Sequence, residues 1–193
     1  MDFKRRKRRL VRGNVPINFP LIKVCNKKYY GLSNFYNKKI DEFKIKAPEG
    51  LITRRESTYD QEDGLQFHNL LDINQDLKKE QLKNIVCKEL AIKNTKLRYH
   101  YFHFFEYYRH GKMGWHKHYE KEDFVCILYL NTCKSGETIF YLNDFNQDSK
   151  DRSMVKIKPE EGKLIIFSSL ILHEGLPTDT NKRLAVGGFK LNR

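Results

Sequence analysis

The second half of the chain repeats a simple pattern of hydrophobic and polar positions. Short runs rich in β-branched and aromatic residues alternate with clusters of Gly, Asn, Asp, Pro and Ser, which predicts β-strands separated by turns. Eight strands are predicted, at residues 97–108, 113–119, 124–131, 138–142, 154–158, 163–168, 171–173 and 183–191. Eight short strands at this spacing favour a closed or sandwich-like β architecture, and such a barrel has room inside for one small ligand.

The first half follows a helical pattern in one segment. Apolar residues between positions 74 and 92 recur at helical spacing, namely Leu77, Leu82, Ile85, Val86 and Leu90. This predicts an amphipathic helix from Asn74, its N-cap, to Ile92, packed as a buttress on the outer sheet. The polar loop at 48–63 is expected to cover the pocket mouth, because loops on a rigid scaffold often select the substrate.

Composition is that of one globular domain. The chain has 193 residues, of which 39% are hydrophobic and 13% aromatic, and these values suit a single well-filled core. No run of 18 apolar residues predicts a membrane span, and the N-terminus lacks the apolar stretch of a secretory signal. Four cysteines without a C-x-x-C pair are expected to be reduced thiols. We therefore expect an intracellular protein, cytoplasmic or nuclear rather than secreted.

Positive charge is the strongest compositional bias. The net charge is +13, and seven of the first twelve residues are basic. Residues 1–14 are expected to form a disordered basic tail, followed by one domain at 15–193 with helical support to about residue 96 and a core at 97–191. Such charge suits an acidic partner or a nucleic acid. No nucleic-acid-binding motif accompanies it.

Three residues form a candidate metal site. His118 and Glu120 are two apart in an extended segment, so their side chains point the same way, and His173 would complete the set. Two imidazoles and a carboxylate on one face of a metal are typical of non-haem Fe(II) centres. His116 has the same parity as His118, so a site of His116, His118 and His173 is also chemically sensible for iron or zinc.

Five motifs between Leu97 and Phe189 resemble the catalytic core of the prolyl 4-hydroxylase-like 2-oxoglutarate and Fe(II)-dependent dioxygenases. In chain order they are Tyr129-Leu130-Asn131, Gly136-Glu137-Thr138-Ile139-Phe140, Pro159 to Phe167, His173-Glu174-Gly175-Leu176-Pro177-Thr178 and Arg183. Their order and spacing carry the resemblance. It implies a mainly β chain with supporting helices, folded as a double-stranded β-helix, a distorted jelly-roll or cupin-like barrel.

The resemblance also implies site residues. His118, Glu120 and His173 would bind Fe(II), although the family mostly has Asp where Glu120 stands. Arg183, ten residues after His173, would hold the distal carboxylate of 2-oxoglutarate, and Lys182 would then face solvent. Tyr129 would add a hydroxyl to that carboxylate, and Tyr108 would approach the cosubstrate from another wall. His116 and Trp115 are expected at the pocket mouth, and ascorbate is an accessory candidate.

The implied activity is a 2-oxoglutarate-dependent oxidoreductase. Such an enzyme hydroxylates an unactivated C–H bond and releases succinate and CO2, here on a prolyl or lysyl residue of a protein or peptide. Two alternatives stay open: an oxygenase that modifies nucleic acid through the basic surface, and a barrel with impaired chemistry that acts as a binding module. The departure at Glu120 keeps the second alternative open.

Overall fold

The computed structural model describes residues 22–46, 50–55, 64–68, 70–73, 76–118, 122–142 and 153–192. Its first part contains two α-helices and three strands: β1 (Ile22–Val24), α1 (Tyr30–Lys46), β2 (Ile52–Arg55), β3 (Gly64–Phe67) and α2 (Lys79–Leu90), followed by a 3-10 turn (Asn94–Lys96). Eight strands follow: β4 (Leu97–Tyr107), β5 (Met113–His116), β6 (Phe124–Tyr129), β7 (Thr138–Tyr141), β8 (Met154–Ile157), β9 (Leu164–Ser168), β10 (Leu172–Gly175) and β11 (Lys182–Leu191).

These strands form two antiparallel sheets. The larger has the order β1-β9-β6-β11-β4-β3-β2, and the smaller has the order β5-β10-β7-β8. Along the chain from β4 to β11 the strands pass repeatedly between the two sheets, as expected for a double-stranded β-helix. All eight predicted strands are present, with ends within three residues of the predicted ones. The mainly β prediction is therefore confirmed.

The larger sheet is buried on both faces. One face packs against the helices in a cluster that includes Phe102, Phe104 and Ala185. The other face meets the smaller sheet in a second cluster that includes Tyr129, Phe140 and Phe167. Alternate residues of a strand point to opposite faces of its sheet. Since both faces of the larger sheet are covered, β6 is buried at all six positions. The space between the sheets is where a ligand would enter.

The helices cover the outer face of the larger sheet. In α1 the buried residues Leu32, Tyr36, Ile40 and Phe43 recur every three or four positions and form one apolar stripe. This helix was not among the predicted elements. The predicted helix at 74–92 is α2, but it begins only at Lys79, after Lys78 in a left-handed conformation. Asn74, its predicted N-cap, lies outside the described residues, as do residues 1–21.

Neither helix within the described part of the chain has the length and apolar character needed to cross a membrane. The polar loop predicted at 48–63 is described only at 50–55, where residues 52–55 form β2 and pair with β3. The segments 47–49 and 56–63, with the rest of that prediction, lie outside the described residues.

Candidate metal centre

Three histidines from two distant segments meet between the sheets. His116 ends β5 and is paired in register with His173 on β10, and His118 follows two residues later. One ring nitrogen from each histidine lies within 4.8 Å of those of the other two. The ring centroids of His116 and His173 are 4.2 Å apart, and that of His118 lies 5.1 and 5.3 Å from them. Such convergence indicates a metal centre.

Each of these imidazoles is oriented by a hydrogen bond at Nδ1. In His116 this nitrogen is 2.9 Å from the Gly114 carbonyl oxygen, and in His173 it is 3.0 Å from that of Ile171. In His118 it is 2.8 Å from Oε1 of Glu122. Carbonyl and carboxylate oxygens accept hydrogen bonds, so each Nδ1 carries the proton. Nε2 is then the nitrogen that would bind a metal.

The surroundings keep His173 neutral. Only 4% of the residue is exposed. The centroid of its ring lies 5.8 Å from that of Phe140 and 4.7 Å from that of Phe167. This burial holds the pKa of His173 well below its ordinary value, and the neighbouring His116 adds to the effect. A neutral imidazole is the form that ligates metals, so protons compete little with a metal at this residue.

The donor set therefore fits iron. Three imidazoles that leave other coordination positions open can hold a non-haem metal, and three-histidine sites also suit zinc. The predicted set contained Glu120 in place of His116, but Glu120 lies outside the described residues and that part stays a prediction. His116, which was expected at the pocket mouth, has its ring in the cluster, and this is the alternative set of three histidines that the sequence left open.

Lys182 is a buried cation in the same inter-sheet space. It is 1% exposed, and its Nζ donates to the carbonyl oxygens of Gly136, at 3.0 Å, and Leu176, at 3.5 Å. A Cβ built on Gly175, which is two residues after His173, would lie 3.5 Å from this Nζ. Burial lowers the pKa of Lys182 to about 8. Within the described segments no carboxylate forms an ion pair with it, and the charge of Glu137 nearby offsets the effect of burial only in part, so it can receive an anion.

Arg183 has a different position from the predicted one. It points to the helix-covered face of β11, where its guanidinium is 3.0 Å from Glu106 and 2.8 Å from Asp41. Both carboxylates already compensate its charge, and the sheet separates it from the histidines. The structure therefore does not bring Arg183 to the histidines, and its assignment to the cosubstrate stays a prediction. The expectation that Lys182 faces solvent is wrong.

Three further residues were predicted to line the site, and the structure places each of them differently. Tyr129 is fully buried between the sheets, and its hydroxyl is 2.5 Å from that of Thr138, two residues beyond Gly136. This position suits the predicted role. Tyr108 follows β4, and the tyrosine ring nearest Lys182 is its neighbour Tyr107, at 5.2 Å. A role for Tyr108 stays a prediction. Trp115 is 67% exposed beside His116, in keeping with the pocket mouth.

Neither Lys182 nor Glu122 was predicted as a site residue. On β11, Lys182 and Arg183 both precede an apolar run that begins at Leu184, so the alternation gives no indication of which face is the interior. Lys182 lies on the same face of β11 as Leu184 and Val186. These two residues pack between the sheets, so Lys182 can be assigned to the interior only once that packing is known. Glu122 lies in a polar segment of Lys, Glu and Asp, where no pattern distinguishes a buried carboxylate.

Comparison with known proteins agrees with this geometry. A sequence-family model described as the 2OG-Fe(II) oxygenase superfamily matches residues 101–190. No curated protein matches the sequence. The matched segment contains all three histidines and Lys182.

Solved structures share the fold at low sequence identity. A prolyl 4-hydroxylase from Pseudomonas putida is 16% identical with a TM-score of 0.61, covering 90% of this chain and 94% of that one. A prolyl hydroxylase from Trichoplax adhaerens, in complex with a peptide fragment of the hypoxia inducible factor, is 14% identical with a TM-score of 0.66, covering 97% and 91%. The α-ketoglutarate-dependent epimerase SnoN from nogalamycin biosynthesis is 10% identical with a TM-score of 0.69, covering 88% and 78%. The predicted double-stranded β-helix is thus confirmed.

Proposed function

The chain belongs to the 2OG-Fe(II) oxygenase superfamily, and from this premise we propose that it hydroxylates a prolyl or lysyl side chain of a protein or peptide. The family implies Fe(II) and 2-oxoglutarate as cofactor and cosubstrate and makes the chain an oxidoreductase. The observation that supports chemistry at this site is the convergence of His116, His118 and His173 within 4.8 Å. We assign these three as the iron ligands.

The chain's own residues would divide the work between metal and cosubstrate. When bound, Fe(II) with 2-oxoglutarate supplies the oxidising chemistry, which couples loss of CO2 to oxidation of a C–H bond. The carbonyls of Gly114 and Ile171 hold two of the imidazoles in the required tautomer. Phe140 and Phe167 exclude water beside His173, and a dry site strengthens each electrostatic contact within it.

Lys182 is our candidate for the distal carboxylate of the cosubstrate. Its buried ammonium lacks a carboxylate partner among the described residues, so a dianion can supply the charge that the protein does not. Thr138 on β7 is paired with Gly175 on β10, and its hydroxyl contacts that of Tyr129, so two hydroxyls lie beside this strand pair. A carboxylate in this place would accept from the ammonium and from a hydroxyl, as buried anions require.

Support for a peptide target comes from the two prolyl hydroxylase structures. Each covers at least 90% of both chains, and one of them holds a peptide fragment. The described residues of the pocket do not select between proline and lysine.

The proposal is tested by turnover with candidate substrates. The protein, Fe(II), 2-oxoglutarate and oxygen are incubated with proline-rich peptides, lysine-rich peptides or oligonucleotides, and mass spectrometry follows added oxygen beside succinate. One oxygen on a peptide side chain per succinate is the expected result. Succinate release with every peptide unmodified would contradict a peptide target.

The ligand set is tested by metal binding. His116→Ala is expected to weaken Fe(II) binding more than Glu120→Ala does, because the structure brings the first residue into the cluster. The opposite order would return the carboxylate to the ligand set. Anaerobic titration followed by the visible charge-transfer band of the Fe(II) complex with 2-oxoglutarate provides the measurement.

The net charge of +13 favours a second candidate, an oxygenase that acts on nucleic acid. Phosphate contacts release counterions, so this candidate predicts oligonucleotide binding that weakens steeply as salt rises. Added oxygen on an oligonucleotide in the turnover experiment would favour it. Salt-independent or absent binding would leave the peptide target.

A further inference from the structure

We propose that Glu122 is the carboxylate of this metal centre and that it acts through His118 rather than as a ligand. The inference rests on the proposed three-histidine site and deepens it. It makes Glu122 a positioning residue: it orients His118, strengthens that imidazole as a donor, and places a negative charge one ring away from the metal.

The contact between Glu122 and His118 is short and enclosed. Oε1 of Glu122 lies 2.8 Å from Nδ1 of His118, and the carboxylate side chain is 3% exposed. The hydroxyl of Tyr101 approaches the same Nδ1 at 3.3 Å, and its ring stacks beside that of His118 with the centroids 6.0 Å apart. The imidazole is therefore confined on the side away from the other two histidines.

Ser169 holds the two residues in register. Its hydroxyl donates to the backbone carbonyl of Glu122 at 2.5 Å, and its own carbonyl accepts from the backbone N–H of His118 at 3.0 Å. Ser169 lies just after β9, four residues before His173. One short segment thus fixes the carboxylate and two of the three proposed ligands relative to one another.

Energetics argue against a purely structural role for Glu122. A buried carboxylate is costly unless its charge is compensated and both oxygens are paired. Oε2 accepts no hydrogen bond from the described residues, and Nε2 of His100 lies 4.0 Å from it. A glutamine would fill this space at lower cost. A divalent cation on the far side of the His118 ring would supply the missing positive charge.

Charge balance at the metal supports the same conclusion. The common site of two histidines and one carboxylate places one negative charge on the ion, whereas three neutral imidazoles place none. The other two imidazoles donate Nδ1–H to backbone carbonyls, which are neutral. Among the contacts of the described residues, the carboxylate of Glu122 faces His118, and such partners raise the basicity of a ligating imidazole. Glu122 therefore restores the negative charge from outside the ligand set.

The test measures Co(II) affinity, which needs no turnover. Glu122→Gln keeps the shape and removes the charge, and we expect Co(II) binding to weaken by roughly 10- to 100-fold, the range for loss of such a partner. The matched control is Glu174→Gln, since Glu174 adjoins His173 but its carboxylate engages the Tyr141 hydroxyl. We expect the control to keep the affinity of the original protein. Equal affinities for Glu122→Gln and the original protein would overturn the inference.

A second background separates positioning from direct ligation. In His118→Ala, Glu122→Gln should cause no further loss of Co(II) affinity, because the carboxylate has no imidazole through which to act. An equal loss in both backgrounds would show that Glu122 reaches the metal itself and would overturn the inference.

Stability of the metal-free protein distinguishes the two roles. Because a buried charge is removed, Glu122→Gln should melt at the same temperature as the original protein or higher. A lower melting temperature or failure to fold would show a structural role instead. His173→Ala tests the underlying site separately. If this variant binds Co(II) normally, the three-histidine site fails. If it loses binding while Glu122→Gln does not, only the inference about Glu122 fails.

Discussion

Lys182 and Arg183 are adjacent in sequence, but they lie on opposite faces of β11 and their charges have different surroundings. Arg183 faces two carboxylates on the helix side of β11, so its charge is compensated within the protein. Lys182 faces carbonyl oxygens and the ring of Tyr107 between the sheets, and burial lowers its pKa to about 8. An uncompensated buried ammonium is unfavourable by itself and favourable for a ligand that brings negative charge.

Cosubstrate binding should therefore depend on pH through Lys182. In the free protein its pKa of about 8 lies below the ordinary value of 10.5, so the amine loses its proton as the pH rises above about 8. A bound carboxylate favours the charged form, and the affinity for 2-oxoglutarate should fall by about tenfold per pH unit above that point. Equilibrium binding between pH 7 and 10 measures this slope.

Lys182→Arg is the matched control for that slope. Arginine stays protonated throughout this range, so the variant should show no such decline even if its longer fork binds less tightly. A slope that persists in the variant would assign the titration to another group. Lys182→Met should lose most of the affinity at every pH.

Helix α1 is joined to the sheet by a charged network as well as by its apolar stripe. Asp41 and Lys44 on α1 reach Arg183 on β11 and Glu106 on β4, and the side chain of Glu106 is 1% exposed. The carboxylate of Glu106 is paired on both sides, by Lys44 at 2.8 Å and by Arg183 at 3.0 Å. The network therefore fixes the helix on the outer face while the inner face stays available for the site.

Arg183→Ala should reduce stability and leave the cosubstrate pocket in place. Removing one partner of a buried carboxylate costs roughly 3 kcal/mol, because Lys44 alone compensates Glu106 imperfectly. Urea denaturation of the metal-free protein measures this loss. Asp41→Ala, at an exposed carboxylate, should cost less than about 1 kcal/mol. A large loss of 2-oxoglutarate affinity in Arg183→Ala, without a loss of stability, would support the predicted assignment.

A metal at the proposed centre would link two distant segments of the described chain. His116 and His118 come from the start of the core and His173 from near its end, and β5 pairs directly with β10. A metal held by all three joins these segments in the folded state only. Binding should therefore stabilise the protein, since a ligand that prefers the native state shifts unfolding by mass action.

Metal should raise the free energy of unfolding by about 2.7 kcal/mol when its concentration is 100 times the dissociation constant. Thermal melting with Co(II), with and without a chelator, measures the shift. His173→Ala should melt at one temperature under both conditions. A shift of equal size in that variant would place the bound metal elsewhere on the chain.

Much of this architecture follows from local pattern. Strands β4 to β11 are short runs of β-branched and aromatic residues with turn formers between them, and side-chain preference alone locates them within a few residues. Helix α1 was not predicted because polar and charged residues interrupt its apolar stripe. The residues of that stripe nevertheless have helical spacing, namely Leu32, Tyr36, Ile40 and Phe43. Strands β2 and β3 were not predicted because they contain few β-branched or aromatic residues and flank a polar segment, 56–63, that resembles a loop in composition.

The order of residues along the chain was enough to predict a β-barrel with an iron site built from His118 and His173. Whether His116 joins them, and which basic residue of β11 enters the pocket, depended on contacts between residues far apart in sequence. Both faces of β11 are buried, so alternation distinguishes two faces without identifying the interior. Packing of helices on one side and the smaller sheet on the other makes that choice, and it also brings Glu122 against His118.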